Sequence, residues 1–327
     1  MTVIVTGAAG FIGSHVAQAL LVRGETVVGL DNLNDYYSVD LKKARLSWLQ
    51  DRPGFRFLQV DISDRDGVEA AFKEAGAVDG IVHLAAQAGV RYSLVNPYAY
   101  VQSNVMGQVV MLEAAMRCES LRNFVYASTS SVYGANTELP FAPEHRVDRP
   151  ISLYAATKRA DELITYSYCH TRGLTATCLR FFTVYGPWGR PDMAAYQFAD
   201  AIMAGKPITV FNEGRMRRDF TYIDDIVAGI VAALDRPAAP DAMGVRHATY
   251  NLGNSKSEEL LDYVRILEDA LGRKATIEFA PLQPGDVVAT SADISASQRD
   301  LGFSPKTSLA EGLPRFATWY KRYHKVN

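Results

Sequence analysis

The chain has 327 residues, of which 48% are apolar, and its formal charge is −2 at pH 7. A chain of this size can bury a large core, either as one large domain or as two interleaved domains. The near balance of charge, without a long basic run, excludes bulk attraction to nucleic acid. No apolar run has the length of a membrane-spanning helix, so we expect a globular protein with neither a membrane nor a nucleic-acid partner.

The cysteines and the N-terminus bear on the cellular compartment. Cys118, Cys169 and Cys178 are odd in number and lack metal-ligand spacing, which favours reduced thiols over disulfides or a metal site. The apolar N-terminus lacks a basic leader and is interrupted by glycines, so it does not resemble a signal sequence. We therefore expect a cytoplasmic protein without a bound metal.

The first predicted elements form a βαβ unit, with a buried strand at 2–6, a helix at 11–23 and a second strand at 26–30. The loop Gly7-Ala-Ala-Gly10-Phe-Ile-Gly13 leads from the strand into the helix. Its glycines let backbone N–H groups and the helix N-terminus approach a pyrophosphate, where a Cβ would block it. The loop is typical of a dinucleotide site, although each glycine is also a common turn residue.

Asp31 ends the second predicted strand, eighteen residues beyond Gly13. A carboxylate at this spacing can accept hydrogen bonds from the adenosine ribose and repel a 2′-phosphate, which favours NAD over NADP. A helix-capping role is the alternative for Asp31. The glycine-rich loop and the acid together favour the cofactor interpretation.

Further apolar runs at 55–60, 80–84, 123–128 and 176–181 alternate with helical stretches. This alternation predicts an α/β fold with a Rossmann-type, doubly wound parallel sheet, whose ligands bind beyond the carboxyl ends of the strands. One candidate, Asn104, can equally be structural and bond the backbone near the site. The cofactor candidates are Gly7, Gly10, Phe11, Ile12, Gly13, Asp31, Asn32, Asp61, Ile62, Leu84, Ala85, Ala86, Gln87, Asn104, Tyr154 and Lys158.

Tyr154 and Lys158 lie one helical turn apart at the start of a helix predicted at 152–172. An ordinary phenol has a pKa of about 10, so a tyrosine base near pH 7 requires about 4 kcal/mol of phenolate stabilisation, which Lys158 and a bound nicotinamide cation could supply together. The strand at 123–128 would bring Thr129 beside the tyrosine. An exposed helix pair is the alternative, but this setting favours catalysis by Tyr154, Lys158 and Thr129.

The amino-acid composition changes after Phe182, where a loop rich in aromatic residues, glycine and proline begins. Beyond it we predict a helix at 194–204, a return to the sheet at 250–253 and a helix at 257–271.

This pattern predicts two interleaved domains. The Rossmann domain comprises 1–182 and about 221–255, and a smaller C-terminal α/β substrate domain comprises about 183–220 and 256–327.

Several motifs together resemble the extended short-chain dehydrogenase/reductase family over essentially the whole chain. Besides the glycine-rich loop and Tyr154-x-x-x-Lys158, they are His83-Leu-Ala-Ala86, the serine and threonine run at 128–134 and the stretch at 218–225. Within that family the chain is most similar to UDP-glucuronate 4-epimerases. The strings that carry this likeness are Asp31-Asn-Leu-Asn-Asp-Tyr-Tyr37, Ala86-Gln-Ala-Gly-Val-Arg-Tyr-Ser93 and Phe182-Thr-Val-Tyr-Gly-Pro-Trp-Gly-Arg-Pro-Asp-Met193.

The resemblance implies reversible C4 epimerisation of UDP-glucuronate to UDP-galacturonate through a transient 4-keto intermediate, with tightly bound NAD. It implies that Tyr154 takes the proton of the C4 hydroxyl, that Thr129 hydrogen-bonds the same oxygen and that Lys158 binds the nicotinamide ribose. It also implies a homodimer built on the helix predicted at 97–118 and the helix beginning near Tyr154. A helix buried within one subunit would show the same periodicity.

The substrate carboxylate poses a chemical problem, because a 4-keto hexuronate is a β-keto acid that can lose CO₂. An epimerase must hold the carboxylate out of line with the carbonyl π system. Arginine offers a planar fork for a carboxylate, and hydroxyls can complete the shell. The candidates are Arg190, Thr183, Ser130 and Ser131; the alternative makes them surface-loop and turn residues.

For the UDP group, the resemblance implies that Arg218 contacts the diphosphate and that Phe211 lies near uracil. The alternative for Arg218 is a salt bridge to a neighbouring aspartate. In Gln283-Pro-Gly-Asp286 a glutamine stands where relatives often carry an arginine, which leaves one diphosphate contact open. Asp286 is also a substrate candidate, and so is Arg91, whose direction the sequence leaves open.

Other functions share parts of this pattern. The runner-up is a 4-epimerase of neutral UDP-sugars, UDP-glucose or UDP-N-acetylglucosamine, which would need neither Arg190 nor the hydroxyl cluster. Sugar-nucleotide 4,6-dehydratases carry Asp-Glu in place of Ser130-Ser131, and UDP-glucuronate decarboxylases usually carry glutamate in place of Ser131, which disfavours both. A catalytically silent NAD-binding protein is disfavoured because all three catalytic candidates are present.

Overall fold

The fold is built around a seven-stranded parallel sheet, seen in a computed structural model that describes residues 1–283 and 286–326. The strands are β1 (Thr2–Thr6), β2 (Thr26–Asp31), β3 (Phe55–Gln59), β4 (Gly80–His83), β5 (Asn123–Thr129), β6 (Ala176–Phe181), β7 (Thr183–Tyr185), β8 (Ile208–Phe211), β9 (Arg217–Tyr222), β10 (His247–Leu252), β11 (Ser257–Glu259) and β12 (Ile277–Ala280). The large sheet has the order β10-β6-β5-β4-β1-β2-β3. The predicted α/β fold with a doubly wound parallel sheet is thereby confirmed.

Helices follow most of the strands and cover both faces of the large sheet. They are α1 (Phe11–Val22), α2 (Val39–Gln50), α3 (Arg65–Ala75), α4 (Pro97–Tyr100), α5 (Gly107–Ala115), α6 (Leu153–Arg172), α7 (Ala194–Met203), α8 (Ile223–Asp235), α9 (Leu260–Leu271), α10 (Ser295–Leu301) and α11 (Leu309–His324).

The apolar core is divided by the large sheet. Successive side chains of a strand point to opposite faces, so Val3 and Val5 of β1 join one cluster while Ile4 joins the other. Because helices cover both faces, β1 and β4 are buried along almost their whole length. This explains why the strands read as continuous apolar runs.

The prediction of a helix at 257–271 was wrong at its beginning. Ser257–Glu259 forms β11, which pairs antiparallel with β9 through partners such as Ser257 and Asp219. Only then does α9 begin at Leu260, whose N–H donates to Met216 O at 2.9 Å. Pairing with a distant strand thus overrides the local helical pattern in these residues.

The helix predicted at 97–118 is also modified. A π-helical segment, Val101–Met106, connects α4 with α5, and α5 ends at Ala115. Such segments insert an extra residue per turn and commonly mark functional regions. Here the segment contains Asn104, which is buried and faces the loop after β4.

The chain returns to the large sheet late in the sequence. β10 begins at His247, somewhat before the predicted 250, and pairs parallel with β6. A three-stranded sheet, β11-β9-β7, and a pair, β12-β8, lie apart from the large sheet. We propose from this that the chain forms a Rossmann domain of 1–182 and about 221–255 and a substrate domain of about 183–220 and 256–327. Among the described helices none is long and apolar enough to cross a membrane.

Candidate active site

A cleft of about 870 Å³ opens at the carboxyl ends of β1, β2, β4 and β5 and continues toward the smaller sheets. Ligands of doubly wound folds bind at this edge, beyond the carboxyl ends of the parallel strands. Most of the predicted site residues line the cleft: Gly7, Gly10, Phe11, Ile12, Gly13, Asp31, Asn32, Ile62, Leu84, Ala85, Ala86, Gln87, Arg91, Thr129, Ser130, Ser131, Tyr154, Lys158, Thr183, Arg190, Phe211, Arg218 and Asp286.

The glycine-rich loop between β1 and α1 forms one wall of the cleft. Gly7 has a φ of +70°, in the left-handed region that favours glycine. A Cβ on Gly13 would collide with the carbonyl oxygen of Gly7, so the helix can start close against the strand only with glycine there. Gly10 at the N-cap has no side chain, which leaves the first N–H groups of α1 available to an anion. The loop therefore fits the pyrophosphate of NAD.

Asp31, at the end of β2, is only 8% exposed. Its carboxylate accepts the backbone N–H groups of Ala9 at 3.1 Å and Leu33 at 2.9 Å, which fixes it against the glycine-rich loop. Burial raises the pKa of Asp31 above its usual range, and these N–H groups and Lys42 oppose part of that shift. A carboxylate has more lone pairs than two bonds use, so Asp31 can also accept from a ribose hydroxyl.

Two of the predicted cofactor residues lie behind the lining of the cleft. Asp61 accepts a hydrogen bond from Asn32 Nδ2 at 2.8 Å and so orients a residue that does line it. Asn104 Oδ1 accepts the Gln87 N–H at 2.8 Å, and its Nδ2 donates to the Gln87 carbonyl at 3.1 Å. Because its amide is occupied within the protein, the geometry favours the structural role for Asn104.

Tyr154 and Lys158 lie on the first turns of α6, whose N-cap Ser152 accepts the Ala155 N–H at 3.1 Å. Lys158 is 3% exposed, and its Nζ donates to Asp161 Oδ2 at 2.7 Å. Burial by itself lowers the pKa of Lys158, but the adjacent carboxylate outweighs burial and the pKa is raised. The lysine therefore stays charged beside the tyrosine.

Thr129 ends β5, where the chain turns because its Oγ1 accepts the Ser131 N–H at 3.2 Å. Behind it, Glu162 of α6 accepts a hydrogen bond from Ser128 at 2.6 Å. The same carboxylate forms a bidentate pair with Arg180 of β6, with both contacts at 2.9 Å. This buried network joins α6 to β5 and β6 and so sets the position of the tyrosine relative to Thr129.

Arg190 lies in the loop after β7 and already has a carboxylate partner. Its Nε donates to Asp192 Oδ1 at 3.0 Å, its Nη2 contacts Oδ2, and Tyr36 OH donates to Oδ2 at 3.1 Å. Burial by itself raises the pKa of Asp192, but the guanidinium outweighs burial and holds it below its usual range. One edge of the guanidinium is thus occupied; within the described residues its Nη1 edge has no hydrogen-bond partner, and an edge of this shape can bind a carboxylate.

The predicted nucleotide contacts line the far end of the cleft. The Arg91 guanidinium lies 4.8 Å from the ring centre of Phe211 and pairs with Asp286 at 3.4 Å. Within residues 1–283 and 286–326, Arg218 forms no ion pair; its Nη1 donates to a backbone carbonyl at 3.0 Å, and burial lowers its pKa. In the stretch Gln283-Pro-Gly-Asp286, Pro284 and Gly285 lie outside the described residues.

His83, at the end of β4, is a buried neutral histidine beside the cleft. Thr6 Oγ1 accepts the N–H groups of Leu84 at 3.1 Å and Ala85 at 3.0 Å, so its own hydrogen is donated to His83 Nδ1 at 2.8 Å. The ring proton therefore lies on Nε2. Burial, with a smaller contribution from Lys158, lowers the pKa of His83 to about 3.

Sequence reasoning missed several residues of the cleft. Tyr36 and Asp192 stood in strings that carried the family resemblance, but no chemical role was assigned to them. Lys42 had no signal beyond a helical pattern, yet its Nζ donates to Asn34 O at 2.6 Å and to Asn34 Oδ1 at 2.7 Å inside the cleft. In the described part of the chain, no group of three His, Cys, Asp or Glu side chains could hold a metal ion.

Known proteins share this sequence over nearly its full length. The chain is 48% identical over 334 residues to UDP-glucuronate 4-epimerase 4 of Arabidopsis thaliana, which covers 99% of this chain and 76% of that protein. It is 45% identical over 338 residues to the probable UDP-glucuronate 4-epimerase of Rhizobium meliloti (strain 1021), covering 99% of this chain and 98% of that protein.

The fold has equally close counterparts. A crystal structure of UDP-glucuronic acid 4-epimerase from Bacillus cereus, in complex with UDP-glucuronic acid and NAD, superposes with a TM-score of 0.90 at 36% identity. The alignment covers 99% of this chain and 100% of that chain. The NAD dependent epimerase/dehydratase family matches residues 3–253, and the chain therefore belongs to this family.

Proposed function

We propose that the protein is an NAD-dependent UDP-sugar 4-epimerase that interconverts UDP-glucuronate and UDP-galacturonate. The observation that supports a uronate substrate is that four side chains line the same cleft as Tyr154: Arg190, Thr183, Ser130 and Ser131. A guanidinium fork with surrounding hydroxyls is well suited to a carboxylate. The named plant and bacterial relatives support the same substrate.

Three residues carry the proposed proton chemistry at C4. A bound NAD supplies the acceptor and donor of hydride at this carbon. Tyr154 takes the proton of the C4 hydroxyl and returns it to the same oxygen after the 4-keto sugar has turned in the cleft. Lys158, buried and charged, stabilises the phenolate and binds the nicotinamide ribose, while Thr129 hydrogen-bonds the reacting oxygen.

The remaining cleft residues divide between cofactor and nucleotide. We assign the pyrophosphate to the glycine-rich loop at 7–13 and the adenosine ribose to Asp31 and Asn32. Ile62 would flank adenine, and the small residues at 84–86 allow close approach of the ribose and pyrophosphate. For UDP, the proposed contacts are Arg218 and Arg91 to the diphosphate, Phe211 to uracil, and Asp286.

Protection of the 4-keto acid follows from the surroundings of Arg190. Asp192 orients the guanidinium through one edge, and the other edge is proposed to hold the substrate carboxylate together with Ser130, Ser131 and Thr183. A carboxylate held in this way cannot align its bond to C5 with the carbonyl π system. Loss of CO₂ is thereby slowed.

Two further parts of the proposal concern assembly and compartment. We propose a homodimer that pairs the α4 to α5 region and α6 with their symmetry mates. We also propose a cytoplasmic location, which the free thiols of Cys118, Cys169 and Cys178 support.

Epimerisation of a neutral UDP-sugar is the second candidate. The bidentate contact of Asp192 with Arg190 favours it, because a guanidinium that already has a counter-ion binds a second carboxylate less strongly. This second candidate predicts that the neutral UDP-sugar reacts at least as well as the uronate.

The first test is to incubate the purified protein with UDP-glucuronate, without added cofactor, and to follow the anomeric proton signals by NMR while measuring released CO₂. Conversion to UDP-galacturonate without CO₂ supports retained NAD and a protected keto acid. Formation of a UDP-pentose would indicate a decarboxylase, and turnover of UDP-glucose alone would support the second candidate.

We further predict that Arg190→Ala lowers kcat/KM for UDP-glucuronate by about tenfold or more relative to UDP-glucose, because the carboxylate loses its charged partner. The variant should also release CO₂ and a UDP-pentose, measured by NMR. Arg56→Ala, which removes an exposed arginine that does not line the cleft, is the control. Unchanged substrate preference and product purity in Arg190→Ala would mean that the carboxylate binds elsewhere.

A further inference from the structure

Arg45 of α2 is a buried cation between two loops of the cleft. Its side chain is fully enclosed, with an exposure of 0%. Its hydrogen-bond partners are backbone carbonyls and one phenol rather than a carboxylate. Burial of a charge without an opposite charge beside it is unfavourable, so the position of Arg45 requires an explanation.

The acceptors of Arg45 use the whole guanidinium fork. Nε donates to Trp188 O at 3.1 Å, and Nη2 donates to Trp188 O at 2.8 Å and to Gly189 O at 3.1 Å. Nη1 donates to Ala9 O at 3.1 Å and to Tyr37 OH at 2.8 Å. An arginine has five N–H donors in a fixed plane, and each has a partner here.

The backbone acceptors belong to the two loops whose relative position the proposed reaction requires, and Tyr37 lies in the segment between β2 and α2. Ala9 lies within the glycine-rich loop, where its N–H also binds Asp31. Trp188 and Gly189 directly precede Arg190 in the chain, and Trp188 has a φ of +63°, which is uncommon for a residue other than glycine. One side chain thus links the candidate pyrophosphate site to the candidate carboxylate site.

We propose that Arg45 is a positioning residue for substrate selectivity. It holds the loop at 186–190 against the glycine-rich loop, so that the Arg190 fork faces C6 of a sugar whose C4 lies at the cofactor. The proposal rests on the proposed function, because it takes Arg190 as the partner of the uronate carboxylate.

The reason for an arginine is geometric. A lysine would keep the charge but offers three donors from one nitrogen, which cannot reach two loops with the planar spacing of a guanidinium. A displacement of about 1 Å in a positioning group can lower a rate by about a hundredfold. Loss of the Arg45 guanidinium should therefore lower turnover of the uronate more than turnover of a neutral sugar, because the C6 hydroxyl of a neutral sugar does not depend on Arg190.

The test compares Arg45→Lys and Arg45→Met with the wild type, using kcat and KM for UDP-glucuronate and UDP-glucose and the NAD content of the purified protein. We expect Arg45→Lys to lower the ratio of kcat/KM for UDP-glucuronate over UDP-glucose by about tenfold or more. Arg45→Met should lower this ratio further and retain less NAD. Leu49→Ala, which removes a buried apolar side chain from the same helix, is the control for lost stability and should leave the ratio unchanged.

The outcomes separate this proposal from the proposed function. If the wild type converts UDP-glucuronate and Arg45→Lys keeps the wild-type ratio, the positioning role is overturned. If the wild type fails to convert UDP-glucuronate, the proposed function fails and the selectivity role fails with it. Should the Arg45 variants not fold, Tyr37→Phe removes one acceptor only. It should shift the ratio in the same direction by a smaller factor, and an unchanged ratio would again overturn the proposal.

Discussion

Single residues carry the proposed chemistry of the cleft, and their charges depend on what surrounds them. Lys158 is buried yet charged because Asp161 lies 2.7 Å from its Nζ. Burial raises the pKa of Asp161 to about 6, although Lys158 opposes part of that shift. The tyrosine therefore stands beside an ion pair rather than an isolated cation, and its role as base can be tested directly.

We predict that Tyr154→Phe lowers epimerisation by at least about a hundredfold, because no other group then takes the C4 proton. NAD should remain bound, since the glycine-rich loop and Asp31 are untouched. The measurement is turnover of UDP-glucuronate by NMR together with the NAD content. Tyr166→Phe, on the same helix and outside the lining of the cleft, is the control; wild-type turnover by Tyr154→Phe would disprove the base assignment.

His83 gives a prediction about how the free energy of unfolding depends on pH. Its pKa in the folded protein is about 3, below the ordinary 6.5, so its contribution to stability is full above pH 6.5 and is lost as the pH falls toward 3. His83→Asn can still offer an acceptor to Thr6 but does not titrate. Urea unfolding at several pH values should show a shallower loss of unfolding free energy in the variant between pH 6.5 and about 4. Equal slopes in the two proteins would contradict this account.

At the scale of elements, the docking of α1 on β1 depends on the absence of side chains in the glycine-rich loop. We predict that Gly13→Ala forces the loop and helix apart, because its Cβ would collide with Gly7 O. The cost should be about 1–3 kcal/mol of unfolding free energy. The purified variant should also contain much less NAD, measured by absorbance after release.

The matched control is Gly24→Ala, at the C-terminal end of the same helix. A Cβ there meets nothing within 4 Å, but its φ of +83° makes alanine unfavourable. This variant should lose about 1 kcal/mol of stability and keep its NAD. Equal NAD contents in the two variants would show that the geometry of the glycine-rich loop does not control cofactor retention.

At the scale of the molecule, one surface carries an unusual set of exposed apolar side chains. Leu94, Val95 and Tyr98 are 75%, 76% and 84% exposed, Val101 at the start of the π-helical segment is 50% exposed, and Leu163 of α6, which packs against α4, is 56% exposed. Clusters of exposed apolar side chains are characteristic of protein interfaces. It lies on the α4 region and α6, the elements of the proposed homodimer.

We predict that light scattering after size-exclusion chromatography gives the wild type twice the mass of one chain. The Tyr98→Asp variant should have the mass of a single chain. A charge in the centre of an apolar interface is costly to bury. Met243→Asp, at an apolar residue 67% exposed on a different loop, is the control and should leave the mass unchanged. A monomeric wild type would rule out the proposed dimer.

The sequence by itself determined the features that depend on local pattern. The βαβ unit follows from apolar periodicity, and the glycine-rich loop follows from backbone positions that exclude a Cβ. The spacing of Tyr154 and Lys158 is a property of one helix, so their shared face could be read without knowing the rest of the fold. Of the site residues predicted from the sequence, all but Asp61 and Asn104 line the cleft.

Only the tertiary structure decided the contacts between distant segments. Arg45 and Trp188 are 143 positions apart and Tyr36 and Asp192 are 156 apart, so no local pattern brings them together. Ser257–Glu259 became a strand because β9 offered it an edge, against a local helical pattern. Such contacts depend on how the sheets and loops pack, since packing alone sets the distance between residues that the chain keeps far apart.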